Sequence, residues 1–290
     1  MKRKLVFGFF ALVSFPAGLW AAAFEPLGHG AAAKAMGGAF VALAEDGSAS
    51  YWNPAGLSLV KKPEFNASTE DLNGLGLLRY NTVGYTHPNI GKGTLSAQLL
   101  HLGTGGDAKF YNYAESTYLL AYGRSFCEDC VSLGVGMRYY SAYGEGTKGT
   151  ALGFDVGVLA RLFNDHLRLA SSVQDLNRPR VDWSTGARDY LPYTSRTGVA
   201  FRSDGGLDTT LQYDKTSTFQ GVWRAGVAQR LFNDLLTLRV GTHRAGEQDQ
   251  WGMSMGGGFR FKAIGVDYAW DSHEDLGNTQ TFSLNVRFGK

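Results

Sequence analysis

Two cysteines stand in a C-x-x-C spacing, Cys127-Glu128-Asp129-Cys130, which suits a redox pair or half of a metal site. A redox pair needs a helix N-terminus or a neighbouring cation to stabilise its thiolate. Here the flanking residues alternate as strands do, so the pair falls on a strand-to-strand turn that offers no helix. In an oxidising compartment a local disulfide closing that turn is the favoured expectation, with redox chemistry as the weaker alternative. Two cysteines are too few for a Cys-based zinc site. The six histidines, His29, His87, His101, His166, His243 and His273, form neither H-x-x-x-H nor H-E-x-x-H, so no metal site is expected. His243 and His273 fall at strand ends near Asp271 and Glu274, which is material for acid–base chemistry but also an ordinary polar rim. There is no P-loop. The expectation is a protein that is not an enzyme and carries no cofactor.

A larger set of chemically able residues is charged: Arg138, Asp155, Arg161, Arg168, Asp208, Asp214, Arg224, Arg230, Arg239, Arg260, Asp267, Asp271 and Arg287. All share a parity with glycine and serine rather than with the apolar residues beside them. Val131, Leu133, Val135, Met137 and Tyr139 oppose Ser132, Gly134, Gly136 and Arg138. Ile264, Val266, Tyr268 and Trp270 oppose Gly265, Asp267 and Ala269. Period two means a strand, with one apolar face and one small or charged face. These runs last about ten residues, the ~9–11 that cross a bilayer at a tilt, whereas strands of a soluble sandwich average ~5–6. Tyrosine and tryptophan near their ends fit an interfacial girdle. The charged set then lines a lumen, either as a polar permeation path or as a salt-bridged brace. Mixed signs favour the brace, with Arg138, Asp155, Arg224, Arg239, Arg260, Asp267 and Arg287 as its members.

The rest of the chain agrees with export to an outer membrane. Lys2-Arg3-Lys4, the apolar run Leu5–Leu19 and Ala21-Ala22-Ala23 have the three parts of a secretory signal peptide, so residues 1–23 are expected to be removed. Without the three basic residues of that leader, 25 of the 28 basic side chains remain against 26 acidic ones, so no basic surface points to nucleic acid. Glycine counts 39 of 290 residues and aromatics make up 13%, an ordered composition. No second apolar run approaches the ~18 residues of a membrane helix.

Fourteen strands are expected, near 63–72, 79–87, 92–102, 115–125, 131–142, 150–162, 166–175, 194–203, 206–215, 221–231, 235–243, 250–261, 263–272 and 279–288. Connections after even-numbered strands are tight: Pro88-Asn89-Ile90-Gly91, Glu128-Asp129, Asn164-Asp165, Asp204-Gly205-Gly206, Asn233-Asp234 and a bend at Lys262. Those after odd-numbered strands are longer, including Gly103–Ala114 and Leu176–Tyr193. Short periplasmic turns and longer outer loops on an even strand count leave both termini in the periplasm. The repeated "RLFNDHLRL" and "RLFNDLLTL" are expected as two-residue Asn-Asp turns without activity.

Residues 24–62 cannot be spanning strands. Asn53 suits a helix N-cap and Pro54 a first helical position, with Ala55-Gly56 continuing the turn. A fourteen-strand barrel has a lumen that needs filling, so 24–62 is expected as a helical plug, or hatch, ahead of a barrel over 63–290. "AKAMGGAFVALAEDGSASYWNPAGL" (Ala33–Leu57) resembles the N-terminal signature of FadL-type fatty-acid transporters and of the smaller PorV/PorQ-like outer-membrane proteins. The resemblance extends through "LPYTSRTGVAFR" (Leu191–Arg202) and the last strands. It implies an all-β transmembrane antiparallel barrel with an N-terminal hatch built on Asn53, Pro54, Ala55 and Gly56. FadL-like kinship implies transport of small hydrophobic molecules across the outer membrane. PorV/PorQ-like kinship, which the compact size favours, implies a non-transporting barrel that docks or shuttles exported proteins within a secretion system. Outer-membrane lipid is the partner in either case.

Overall fold

The computed structural model describes residues 24–104, 113–127, 130–144, 146–217, 221–245, 251–273 and 277–289. The expected leader, the turn residues Glu128 and Asp129, and Glu274 lie outside them. Sixteen strands form one antiparallel sheet: β1 Glu64–Asp71, β2 Leu78–Ile90, β3 Gly93–Thr104, β4 Tyr113–Phe126, β5 Val131–Gly144, β6 Thr147–Leu162, β7 Leu167–Gln174, β8 Arg180–Trp183, β9 Arg188–Tyr190, β10 Thr194–Arg202, β11 Leu207–Thr216, β12 Val222–Leu231, β13 Leu236–Ala245, β14 Trp251–Phe261, β15 Ile264–His273 and β16 Gly277–Arg287. Neighbours pair in chain order except that β7 pairs with β10, and β1 closes on β16 from Glu64↔Arg287 to Asp71↔Gln280. With β8 and β9 set aside as a side hairpin, fourteen strands form a closed barrel.

The alternation read from the sequence is the inside–outside alternation of the wall. In β5, Leu133, Val135, Met137 and Tyr139 are exposed, while Ser132 and Arg138 are buried. Such apolar side chains ring the barrel as an outward band, which is a surface for lipid rather than water. Tyr118, Tyr139, Tyr143, Trp223 and Trp251 gather on the outside towards the long-loop end, and Phe65, Tyr85, Phe126, Phe201 and Phe261 towards the short-turn end.

Three local expectations need correction. The turn expected at Pro88–Gly91 is later and tighter. β2 runs on to Ile90, its register slips between His87 and Ile90, and Gly91-Lys92 makes the turn. Pro88 has no N–H for the ladder, which accounts for the irregularity. The repeated Asn-Asp turns are longer than two residues. Phe163, Asn164 and Asp165 all have positive φ (51, 56 and 72°), as do Phe232, Asn233 and Asp234 (54, 56 and 66°). Asparagine and aspartate tolerate that conformation, and both phenylalanines swing out to 74% exposure. Finally, the span expected as a plain outer loop, Leu176–Tyr193, contains the β8–β9 hairpin, whose strands are too short to show a period. Trp183 and Asp182 of β8 pair with Gly149 and Thr150 of β6.

Residues ahead of β1 fill the barrel. Helix α1 (Ala31–Lys34), helix α2 (Ala49–Trp52) and a 3-10 helix (Pro54–Leu59) are short and almost wholly buried. The main core is the contact between this hatch and the inner wall, with Met36, Val41, Trp52 and Leu57 meeting Leu100, Leu119, Leu159 and Ala200.

Candidate functional site: the hatch, its seats and two hollows

Why the inner wall is rich in glycine becomes clear from the contacts of the hatch. Gly123 of β4 pairs with Gly134 of β5, which pairs with Gly157 of β6, so three glycines form one row across three strands. Asn53, Pro54, Ala55 and Leu57 lie directly on that row, and a Cβ on any of the three would overlap them. Side chains would lift the hatch off the wall.

Asn53 sets the conformation at this first seat. Its Oδ1 accepts from the Ala55 N–H (3.1 Å), and Pro54 takes the first helical position as expected from its missing N–H. Its Nδ2 donates to the carbonyl oxygens of Val41 (3.2 Å), within the hatch, and Val158 (3.1 Å), in β6. One fully buried side chain thus caps a helix, ties two hatch segments together and fixes both to the barrel. Ser58 and Ser132 hydroxyls meet at 2.8 Å, and Ser172 donates to the Trp52 carbonyl at 2.8 Å. Arg138 lies 5.0 Å above the Tyr51 ring and is paired with Asp155 at 2.6 Å, both buried.

A second seat lies across the lumen. Gly226 of β12 pairs with Gly241 of β13, which pairs with Ser254 of β14, and Met36 and Gly37 rest on this row. The Gly37 N–H donates to Ser254 Oγ (2.8 Å), and Arg224 Nη1 donates to the Gly37 carbonyl (2.9 Å) while Arg224 Nε pairs with Asp214 (2.7 Å). Around it, Ala31 N–H donates to Ser283 Oγ (2.8 Å), Lys34 pairs with Glu70 (2.8 Å), and the N–H groups of Phe40 and Val41 share Gln212 Oε1 (2.8 Å each).

Most of the remaining lumen charges sit towards the short-turn end, while Asp271 lies near the long-loop end of β15. Arg239 pairs with Asp267 (2.7 Å), Arg287 with Glu64 (3.2 Å) and Arg230 with Asp208 (3.3 Å). Arg260 is exposed at the same end. Sequence reasoning missed Glu45, the hatch carboxylate that accepts from both Arg168 and Arg202 at 2.9 Å. The glycine rows were missed too, although inward glycines at matching depths in consecutive strands are a signal that could have revealed them.

Two hollows lie on opposite sides of the hatch. A vestibule of about 390 Å³ opens at the short-turn end among Glu45, Asp46, Lys61, Lys62, Arg230 and Arg260. Towards the long-loop end is a hollow of about 30 Å³ lined by the aromatic and aliphatic side chains Phe24, Leu27, Tyr51, Tyr80, Leu100, Leu102 and Tyr140 together with the polar Glu25, Glu115, Thr117 and Gln174. His29 is buried in the hatch, and burial chiefly holds its imidazole below the usual range, against an opposing pull from Asp46. Cys127 and Cys130 are both exposed free thiols at the β4–β5 turn, where the Cys130 N–H donates to the Cys127 carbonyl (3.1 Å). Among the described residues no group of three or more His, Cys, Asp or Glu could hold a metal ion. His87 and His101 are engaged singly, with Tyr85 and Ser116.

No family model matches the chain, and no curated protein does. Solved structures do. The toluene transporter TbuX of Ralstonia pickettii superposes with a TM-score of 0.71 over 92% of this chain and 100% of that one, at 13% identity. The chain shares its fold. The toluene transporter TodX of Pseudomonas putida gives 0.69 over 92% and 100%, at 12% identity. A FadL homologue from Pseudomonas aeruginosa gives 0.62 over 94% and 100%, also at 12%. A single closed wall and an N-terminal segment within the lumen are what so distant a likeness conveys.

Proposed function

We propose that the chain is an outer-membrane channel for small hydrophobic molecules, closed by its hatch in the state described. The observation that carries this reading is the aromatic hollow on the long-loop side of the hatch. A cluster of aromatic and aliphatic side chains at the outer side of the hatch has no role in passing ions or sugars, but it suits a hydrophobic passenger. The short-turn end then faces the periplasm, with the last strand ending on that side, whereas Phe24 at the start of the hatch lies at the long-loop end, and the apolar band faces outer-membrane lipid. At about 30 Å³ the hollow is smaller than any such passenger, so passage requires the hatch or the mouth to move. The ion pairs of Arg138, Arg224, Arg239 and Arg287 brace the inner wall, and Arg138 and Arg224 also reach the hatch at Tyr51 and Gly37. Two of the solved barrels with this fold, TbuX and TodX, are described as toluene transporters, which supports the reading.

The compact size for which the sequence resembles PorV/PorQ-like proteins favours a docking role as the second reading. Whole-cell uptake separates the two. A deletion strain is expected to take up labelled toluene or a medium-chain alkane several-fold more slowly, with recovery on complementation. Unchanged uptake, together with an exported protein that co-purifies with the barrel, would replace transport by docking.

A further inference from the structure

Charge on the lipid face of a barrel is costly at mid-depth and is tolerated only near a rim. Among the described residues of the barrel strands, the outward charges Asp71, Arg79, Lys148, Lys215 and Arg244 all stand at the long-loop end. Arg124 of β4 is the exception, at the short-turn end. It follows Tyr118, Leu120 and Tyr122 on the outward parity, and its cross-strand partner Leu133 is exposed on the same face. No carboxylate of the described residues pairs with it. Its guanidinium lies over the ring of Phe126, 4.9 Å from the centroid. A stacked guanidinium keeps its N–H donors in the plane of the fork, free to meet an anion edge-on. The β2–β3 turn brings a second cation to the same corner. Gly93 lies under Tyr122, where a Cβ would come within 2.5 Å of that ring and of the Gly123 carbonyl oxygen. The Tyr122 hydroxyl donates to the Ile90 carbonyl (3.2 Å), which ties the turn to β4. Thr94 pairs with Gly123, so Gly93 and Arg124 come next at one level. Lys92, the residue before Gly93, is exposed in this turn, and among the described residues no carboxylate pairs with its ammonium.

We infer that this corner binds the phosphate of an anionic phospholipid in the periplasmic leaflet, with Arg124 and Lys92 as its ligands. The inference rests on the orientation given above, in which the short-turn end faces the periplasm. Continuity with the lipid-facing band names a lipid as the occupant. Leu120, Leu133 and Val135 are exposed on the same face towards mid-depth, so a headgroup held by Arg124 has its acyl chains laid along them. Charge selects the headgroup. Two cations without a carboxylate attract a net-negative lipid and repel the ammonium of a zwitterionic one. The arginine fork matches two phosphate oxygens, and the lysine adds a point charge. The site also backs onto the anchor of the hatch. Gly123, next to Arg124 and facing inward, begins the glycine row on which Pro54 and Leu57 rest. A lipid clamped at Arg124 steadies from outside the strand that seats the hatch from inside.

The test is native mass spectrometry of the full-length barrel purified from outer membranes, with dimyristoylphosphatidylglycerol, dimyristoylphosphatidylcholine or lipopolysaccharide added to the micelles. The proteins are wild type, Arg124→Gln with Lys92→Gln, and Arg244→Gln as a control at the opposite rim. Heat-dependent gel mobility checks that each is a folded barrel. Wild type is expected to retain phosphatidylglycerol about tenfold better than phosphatidylcholine. The double variant is expected to lose that preference and Arg244→Gln to keep it. Equal retention of the two phospholipids by wild type, or a preference that survives the double substitution, overturns the inference and leaves the orientation standing. Displacement of phosphatidylglycerol by millimolar inorganic phosphate assigns the corner to a soluble ion and overturns it in the same way. A preference for lipopolysaccharide that the double variant loses overturns both, because that lipid occupies the opposite leaflet.

Discussion

The two seats of the hatch use the same device and differ in how they are finished. On β4–β6 the glycine row meets the Asn53–Leu57 segment in a dry contact, and every polar atom of Asn53 is used inside the protein. On β12–β14 the glycine row meets Met36-Gly37, but the hydrogen bonds come from Arg224, Ser254, Gln212 and Lys34, of which the charged Arg224 and Lys34 are partly open to water while Ser254 and Gln212 are buried. The vestibule lies beside the second seat, lined in part by Met36, Ala228, Arg239 and Asp267. Apolar close packing with satisfied buried bonds is costly to separate, whereas partly hydrated charged contacts can be exchanged for water at little cost. The first seat is therefore the anchor, and the second is where the hatch can lift.

Substituting a wall glycine at the anchor breaks the comparison most severely. Gly134→Val places a branched side chain where Pro54 and Ala55 lie, and the hatch cannot seat. Planar-bilayer recordings are expected to change from a silent barrel to a permanently conducting one. Next come the arginines, one per seat. Arg138→Met leaves Asp155 buried without its partner, which costs about 3–5 kcal/mol. Arg224→Met breaks a pair that is a quarter exposed on the arginine side, and about 1 kcal/mol is expected. Guanidinium unfolding of the detergent-solubilised barrels measures the gap; equal losses would erase the distinction between the seats. Asn53→Ala removes a cap and strands two carbonyl oxygens, for a loss of about 2 kcal/mol and a raised leak conductance.

The smallest effect is one of pH. Burial holds the His29 imidazole below its usual range, so the seated hatch favours the neutral ring. A released hatch takes up the proton more readily as pH falls through about 6.5. Seating is therefore fully stabilised above that pH and weakened below it. Asp46 partly offsets the charged ring and Arg138 opposes it. A leak that rises modestly from pH 7.5 to 5.5, and becomes flat in His29→Phe, is the expected outcome. A flat wild-type profile would remove His29 from the account.

Much of this was legible in the sequence because a strand that faces lipid on one side must alternate, and its charges cannot face outward. That single rule located the barrel strands to within a few residues and put Arg138, Asp155, Arg224 and Asp267 on the inner face. Asn53-Pro54 could be read as a helix start because capping is local. What could not be read was register. The row Gly123–Gly134–Gly157 exists only once three strands are aligned, and Glu45 meets Arg202 across 157 residues of chain. The β8–β9 hairpin was missed for another reason. Strands of four and three residues carry too few positions for a period of two to show.

The anchor can be tested directly by stapling it. Ser58 of the hatch and Ser132 of β5 face each other with hydroxyl oxygens 2.8 Å apart. Ser58→Cys with Ser132→Cys, in a Cys127→Ser, Cys130→Ser background, lets oxidation fasten the hatch to the wall at that one point. Hydrocarbon uptake by cells carrying the oxidised protein is predicted to match that of the reduced protein, because the anchor does not part during passage. Uptake that stops on oxidation and returns on reduction would contradict the account.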